Sequence, residues 1–256
     1  MSPQPVLLAY EIHGEGLPVI FLHGFPFNRH LWDALIPHVA PYARMVLPDL
    51  RGFGESPTSA DVLAMSLLAD DVCYLMDHLN LPQAALVGHS MGGYVALAFA
   101  HQYPERLAGL ALVASHADPD SSTRRESRYH TVAQIRNRGI LPLLEDMPQR
   151  LTSSPAVQEK VRLFIQSCSP QTAIQALLGM AEREDANPWL RALHVPFLVV
   201  TGSADSLIDP TRIRTMLEPL STATWVELPG VGHLPMLEAP VELAKALLDW
   251  IHQIHG

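Results

Sequence analysis

The 256-residue chain predicts an α/β fold: a mostly parallel, twisted sheet flanked by helices, with a helical cap inserted into it. Three observations lead there. Short runs rich in Val, Leu and Ile alternate with longer segments of helical periodicity, the pattern of βαβ units. Several runs, Phe197–Val200 among them, are apolar at every position, as strands covered on both faces are. One stretch, from Pro119 to Asn187, breaks the alternation and offers four helical patterns without a convincing strand.

In chain order, Leu7–Ile12 and Val19–Leu22 read as strands, Arg29–His38 as a helix and Met45–Leu47 as the next strand. Val62–Leu79 carries helical spacing, Ala84–Val87 is a strand, Met91–Gln102 a helix and Leu110–Val113 a strand. In the interrupting stretch Gly139, Pro148, Pro155 and Pro170 are read as helix breaks. Leu141, Leu144, Met147 and Leu151 recur at helical spacing there, as do Val161, Phe164, Ile165 and Cys168. Most of these stripes are expected to pack on the core, with some lining a pocket. The alternation resumes with strands Phe197–Val200 and Thr224–Leu228 and helices Thr211–Leu217 and Val241–Ile254. Residues 1–118 and 188–256 are therefore expected to form the core domain and 119–187 the cap.

Composition excludes several functions. The formal charge is −9 and the pI near 5.8, whereas a binder of phosphate backbones needs clustered Lys and Arg. The one cluster, Arg124, Arg125 and Arg128, sits beside Asp118, Asp120 and Glu126 and reads as a solvated helix face. Nucleic-acid binding is not expected. Cys73 and Cys168 form no CxxC pair and no disulfide framework, and read as buried or half-buried thiols. None of the 13 histidines has the His-x-x-x-His spacing of a zinc protease, so that metal site is rejected, and the serine chemistry described below implies no metal or organic cofactor. Met1–Tyr10 lacks the basic and apolar regions of a signal peptide, and no run approaches the ~18–20 apolar residues of a membrane span. The expectation is a soluble, cytoplasmic protein.

The chemistry concentrates at Leu86-Val87-Gly88-His89-Ser90-Met91-Gly92-Gly93. An apolar strand runs into Ser90 and an apolar helix follows at once. Glycines two before and two after the serine permit a sharp turn that leaves its hydroxyl exposed. As a string, G-x-S-x-G is weak; its place between strand and helix makes it specific. A serine needs a base and an orienting carboxylate. His233 lies in the tight loop Pro229–Pro235 after the last strand, and Asp205 follows Phe197–Val200. The order Ser90, Asp205, His233 is that of a nucleophile-elbow hydrolase. Asp118 and Asp209 are alternative acids, although Asp209-Pro210-Thr211 looks like a helix start. His89 reads as a buried neighbour of the serine.

Attack on a carbonyl creates an oxyanion, which needs more than one donor. The amide of Met91 at the helix start is one. The amide of Phe25 in His23-Gly24-Phe25-Pro26 is the natural second, because Pro26 offers none. His23 is expected to brace that loop rather than to move protons.

Together these residues resemble the α/β-hydrolase family over nearly the whole chain. His23–Pro26 looks like its oxyanion loop, Gly88–Gly93 its elbow, Gly202–Asp205 its acid loop and Gly232-His233 its base loop. Asp49-Leu50-Arg51-Gly52-Phe53-Gly54-Glu55-Ser56 is similar to a family loop that is usually structural, so Asp49 and Arg51 are assigned no chemistry. Ser90 stands where related dehalogenases and epoxide hydrolases carry Asp, and Met91-Gly92-Gly93 is less bulky than in the plant hormone receptors of this fold. The resemblance implies a serine hydrolase of the carboxylesterase type, acting on a small or medium ester through an acyl-enzyme. Lactone or carbon–carbon bond hydrolysis, acyl transfer to an alcohol or peroxide, and slow-turnover ligand reception are the rivals on the same scaffold.

Overall fold

The structure is a computed structural model describing residues 4–58, 61–220 and 223–255. Met1–Pro3, part of the N-terminal stretch read above, lie outside the described residues. The strands are β1 (Tyr10–His13), β2 (Pro18–Leu22), β3 (Arg44–Pro48), β4 (Ala84–His89), β5 (Leu107–Val113), β6 (Phe197–Gly202) and β7 (Ala223–Leu228). The helices are α1 (Ile36–Val39), α2 (Met65–His78), α3 (Met91–Gln102), α4 (Ser122–Arg138), α5 (Leu141–Leu151) and α6 (Pro155–Ser167). They continue with α7 (Pro170–Ala181), α8 (Asn187–Leu190), α9 (Pro210–Leu217), α10 (Pro235–Glu238) and α11 (Pro240–His255).

The seven strands form one sheet in the order β1-β3-β2-β4-β5-β6-β7. β1 runs antiparallel to β3 and every other pair is parallel. Parallel pairing puts the carboxyl ends of β2, β4, β5, β6 and β7 at one edge. The register aligns them closely: Leu22 sits opposite Gly88, His89 opposite Val113, and Gly202 opposite Leu228. The loops after these strands therefore converge. The inner strands β4 and β6 are buried at every residue, which explains their apolar, non-alternating sequences. α2 packs on α3, while α11 packs on β5, β6 and the 3-10 helix Arg29–Leu35. Between β5 and β6, α4 packs on α7 and α5 on α6. Among the described residues no helix is long and apolar enough to cross a membrane.

Four of the departures from the sequence reading have a local reason. The first strand starts at Tyr10 rather than Leu7, because side chains take the amides before it: Val6 donates to Asp71 (2.8 Å) and Ala9 to Ser56 (2.9 Å). The segment expected as one helix over Arg29–His38 is a 3-10 helix followed by α1. Pro37 has no N–H to extend a preceding helix and fits only in a first turn. α2 starts at Met65 because the amide of Leu63 is drawn to the carbonyl of Gln175 at 3.1 Å. Pro148 lies inside α5 instead of ending it. A proline there cannot bond the carbonyl of Leu144, and Arg162 of α6 donates to that carbonyl instead, at 2.9 Å.

Candidate active site

Ser90 follows β4 directly and precedes the first residue of α3. Its backbone has φ +50° and ψ −112°, a conformation rarely adopted by a residue with a side chain. Neighbours hold it there: the amide of Ser90 donates to the Val113 carbonyl (3.0 Å), and Ser115 Oγ donates to the Ser90 carbonyl (2.8 Å). The glycines answer to close approach. A Cβ on Gly88 would meet the Gly92 carbonyl oxygen at 2.4 Å, and one on Gly92 would meet that of Leu22 at 2.1 Å. Strand and helix leave the turn against each other and against the end of β2, with no room for a methyl group.

The structure brings Ser90, His233 and Asp205 into one hydrogen-bonded line. Ser90 Oγ lies 3.0 Å from His233 Nε2, and His233 Nδ1 donates to Asp205 Oδ2 at 2.7 Å. Asp205 Oδ1 accepts from the Leu207 amide at 2.8 Å, so both carboxylate oxygens are engaged. The Asp205 side chain is inaccessible and that of His233 nearly so. The loop carrying His233 is pinned on two sides. The His233 amide donates to the Leu151 carbonyl at the end of α5, while Glu238 accepts from the amides of Gly232 and Leu234. The other acids are occupied elsewhere: Asp209 caps α9 by accepting from the Thr211 amide (2.8 Å), and Asp118 accepts from Asn187 (2.8 Å).

Two further histidines support this geometry from behind. His89 is fully buried, and its Nε2 donates to the His233 carbonyl at 2.9 Å. Burial, and then the neighbouring His233, push its pKa well below the ordinary value, so it stays neutral. It braces the loop that carries His233. His23 is also fully buried, and burial lowers its pKa to about 4. Its Nδ1 donates to the Gly24 carbonyl and its Nε2 accepts from the Leu50 amide, both at 2.9 Å. Those bonds fix the loop on which Phe25 sits. Among the described residues the amides of Phe25 and Met91 donate to no backbone or side-chain acceptor. Phe25 lines the same cavity as Ser90, while the Met91 side chain is fully buried beneath it.

The cavity has a volume of about 1020 Å³ and is walled by Ser90, His233 and Asp205 together with residues of α4, α5 and α7. Of the stripe residues, Met147 and Leu151 reach it, whereas Val161 and Ile165 are buried elsewhere and Leu141 is exposed. Phe164 packs edge-on against Phe27 at 5.3 Å. Tyr94 and His116 also line the cavity, and sequence reasoning passed over both. A tyrosine one turn after the elbow serine was the available signal for the first. His116 Nδ1 accepts from the Asp118 amide (3.1 Å), and burial followed by the charge of Arg183 lowers its pKa to about 4. The arginine cluster is not a solvated helix face. Arg128 is buried against Asp120, which also binds Arg183, and Arg125 donates to the Ala181 carbonyl. Arg124 and Arg128 both reach the cavity wall. Asp49 and Arg51 are structural anchors: Asp49 pairs with Arg29, and Arg51 donates to Asp71 at 2.7 Å.

Comparison with known proteins agrees with this fold. The α/β hydrolase fold family model matches residues 18–240. The chain belongs to the α/β-hydrolase family. Its structure superimposes on a thermophilic esterase from Thermogutta terrifontis, solved with malate bound, with a TM-score of 0.93 at 40% identity, covering 97% of this chain and 94% of that one. A pimeloyl-[acyl-carrier protein] methyl ester esterase from Aeromonas hydrophila is 30% identical over 95% of this chain and 99% of its own length. The dihydrolipoyllysine-residue acetyltransferase component of an acetoin cleaving system from Pseudomonas putida is 29% identical, and the chain spans 66% of that longer protein. Taken with the fold, the two esterases support a hydrolase enzyme active on esters.

Proposed function

We propose that the protein is a carboxylesterase-type serine hydrolase that cleaves a small or medium carboxylic ester through a Ser90–His233–Asp205 triad. The observation that carries this reading is the hydrogen-bonded line from Asp205 through His233 to Ser90, opening into the cavity at the sheet's carboxyl edge. Ser90 Oγ attacks the ester carbonyl as its proton passes to His233 Nε2. Asp205 holds the Nδ1 proton and stabilises the imidazolium that forms. The amides of Phe25 and Met91 bind the oxyanion, a contribution of roughly 3–4 kcal/mol per donor to the transition state. Collapse expels the alcohol, which takes the proton from His233. Water then attacks the acyl-enzyme with His233 as base, and the acid leaves. The helices α4 to α7 serve as a cap that shapes the acyl and alcohol pockets.

The test is steady-state hydrolysis of p-nitrophenyl esters of increasing acyl length by the wild type and Ser90→Ala. Turnover should fall at least about a thousand-fold in the variant. Its thermal unfolding should match the wild type, since the hydroxyl contributes little packing. Retained activity would refute the assignment.

A further inference from the structure

The chain carries nine more acidic than basic residues, yet five of its 17 basic side chains line one cavity, the one into which Ser90 opens. Four of these arginines have a carboxylate. Arg128 binds Asp120, Arg138 binds Glu145, Arg150 binds Asp146, and Arg212 lies 3.6 Å from Asp118. Arg124 differs. Among the described residues its guanidinium makes no hydrogen bond and no ion pair, and it is exposed within the cavity wall. A carboxylate in electrostatic reach of it, Asp120, is already held by Arg128 and Arg183. Surrounding protein, and then the charges of Arg128 and Arg150, make its cation less favourable than an ordinary arginine's. This corner of an acidic protein therefore has an uncompensated positive charge facing the substrate space.

Its position relative to the nucleophile is also defined. Arg124 shares the cavity wall with Tyr94, which lies one turn beyond Ser90 on α3. One turn of helix is ~5–6 Å along the axis. An anion paired with Arg124 would thus share the cavity with a carbonyl at Ser90, on the same bound molecule. A single unpaired guanidinium balances one negative charge, and its planar fork matches the two oxygens of a carboxylate.

We propose that Arg124 recognises a carboxylate on the substrate, so that the preferred substrates are anionic esters whose acyl chain ends in a carboxylate, such as monoesters of dicarboxylic acids. This rests on the ester-hydrolase reading above and narrows it to a substrate class. Arg124 is a specificity residue that touches the substrate away from the bond being broken. Arg128 and Arg150 are engaged by their own carboxylates, which among the described residues leaves Arg124 as the cavity arginine without one.

The experiment compares two esters of the same length and leaving group, monomethyl glutarate and methyl pentanoate, in the wild type, Arg124→Gln and Arg124→Lys. In the wild type kcat/KM should favour the anionic ester by about ten- to hundred-fold, the span expected for a charged hydrogen-bonded pair. Arg124→Gln should collapse that ratio towards one, chiefly through KM, and Arg124→Lys should restore part of it. A wild-type ratio at or below one, or an Arg124→Gln loss equal for both esters, would overturn the proposal. Calorimetric titration with glutarate separates it from the hydrolase reading. If neither ester turns over but glutarate binds the wild type and Ser90→Ala and not Arg124→Gln, the anion site stands and the hydrolase reading falls. Glutarate binding that is absent from the wild type, or unaffected by Arg124→Gln, would overturn the anion site whatever the esters do.

Discussion

Acidification should unfold this protein through histidines that the fold keeps neutral. His23 and His116 each have a pKa near 4 in the folded protein, against an ordinary value of 6.5, with burial as the leading cause. In the unfolded chain both take up a proton near pH 6.5. The unfolded state therefore binds more protons as pH falls from 6.5 towards 4, and stability falls with it. The hydrogen bonds give this a concrete form. His23 Nε2 accepts from the Leu50 amide and His116 Nδ1 from the Asp118 amide, so protonation would set two donors face to face. Between pH 7.5 and pH 5 each histidine should cost about 2 kcal/mol, and the pair about 4 kcal/mol. His89, whose pKa is also depressed, adds to the loss in the same direction. A total of ~5–15 kcal/mol is normal for a folded domain, so the effect is large. Urea unfolding followed by tryptophan fluorescence at the two pH values measures it, with the denaturant slope checked for constancy. His116→Asn supplies the control, because an amide oxygen can accept the Asp118 N–H without titrating. It should remove about 2 kcal/mol of the difference. A variant that keeps the full pH dependence of the wild type would refute the assignment of the effect to buried histidines.

Two further substitutions test the site itself. Asp205→Asn should lower kcat by about 10³–10⁴-fold, because an amide at Nδ1 favours the wrong imidazole tautomer. The same rate loss from Asp118→Asn, with Asp205→Asn silent, would reassign the acid. Gly92→Ala should destabilise the fold by at least ~2 kcal/mol, since its methyl group would lie 2.1 Å from the Leu22 carbonyl oxygen and backbone must move. Thermal unfolding at the wild-type temperature would show that the elbow is looser than its geometry states.

The fold was legible where its causes are local. Apolar runs, glycine turns and helix periodicity each act within a few residues, and the elbow compresses strand end, turn and helix start into Gly88–Gly93. The choice among Asp118, Asp205 and Asp209 was less determined, because it depends on where three loops lie relative to one another. In the structure Asn187 takes Asp118 and the Thr211 amide takes Asp209, while Asp205 reaches His233. Only the cap at Asp209 is a neighbour effect readable from Asp209-Pro210-Thr211. Pro148 misled for a related reason. A proline breaks a helix by orphaning a carbonyl, and whether a distant side chain repairs it cannot be read locally. Here Arg162, 14 residues further along, does so.

The arginines carry that argument furthest. Along the sequence, Arg124, Arg125 and Arg128 are balanced by the acids around them, and simple counting predicts a solvated face. The fold redistributes the pairing. Asp120 is claimed by Arg128 eight residues away and by Arg183 at a separation of 63, which places two cations on one carboxylate. Asp118 turns to Asn187 and lies near Arg212. The pairing of Asp120 withdraws a negative charge from the neighbourhood of Arg124, and none of these pairings is visible in the order of residues. An unpaired charge is a property of everything it fails to touch, so it emerges only once the chain has folded. For the same reason it bears on the proposed substrate more directly than the elbow does: on that proposal the elbow would supply the chemistry, and the unpaired guanidinium in the same cavity would select the ester.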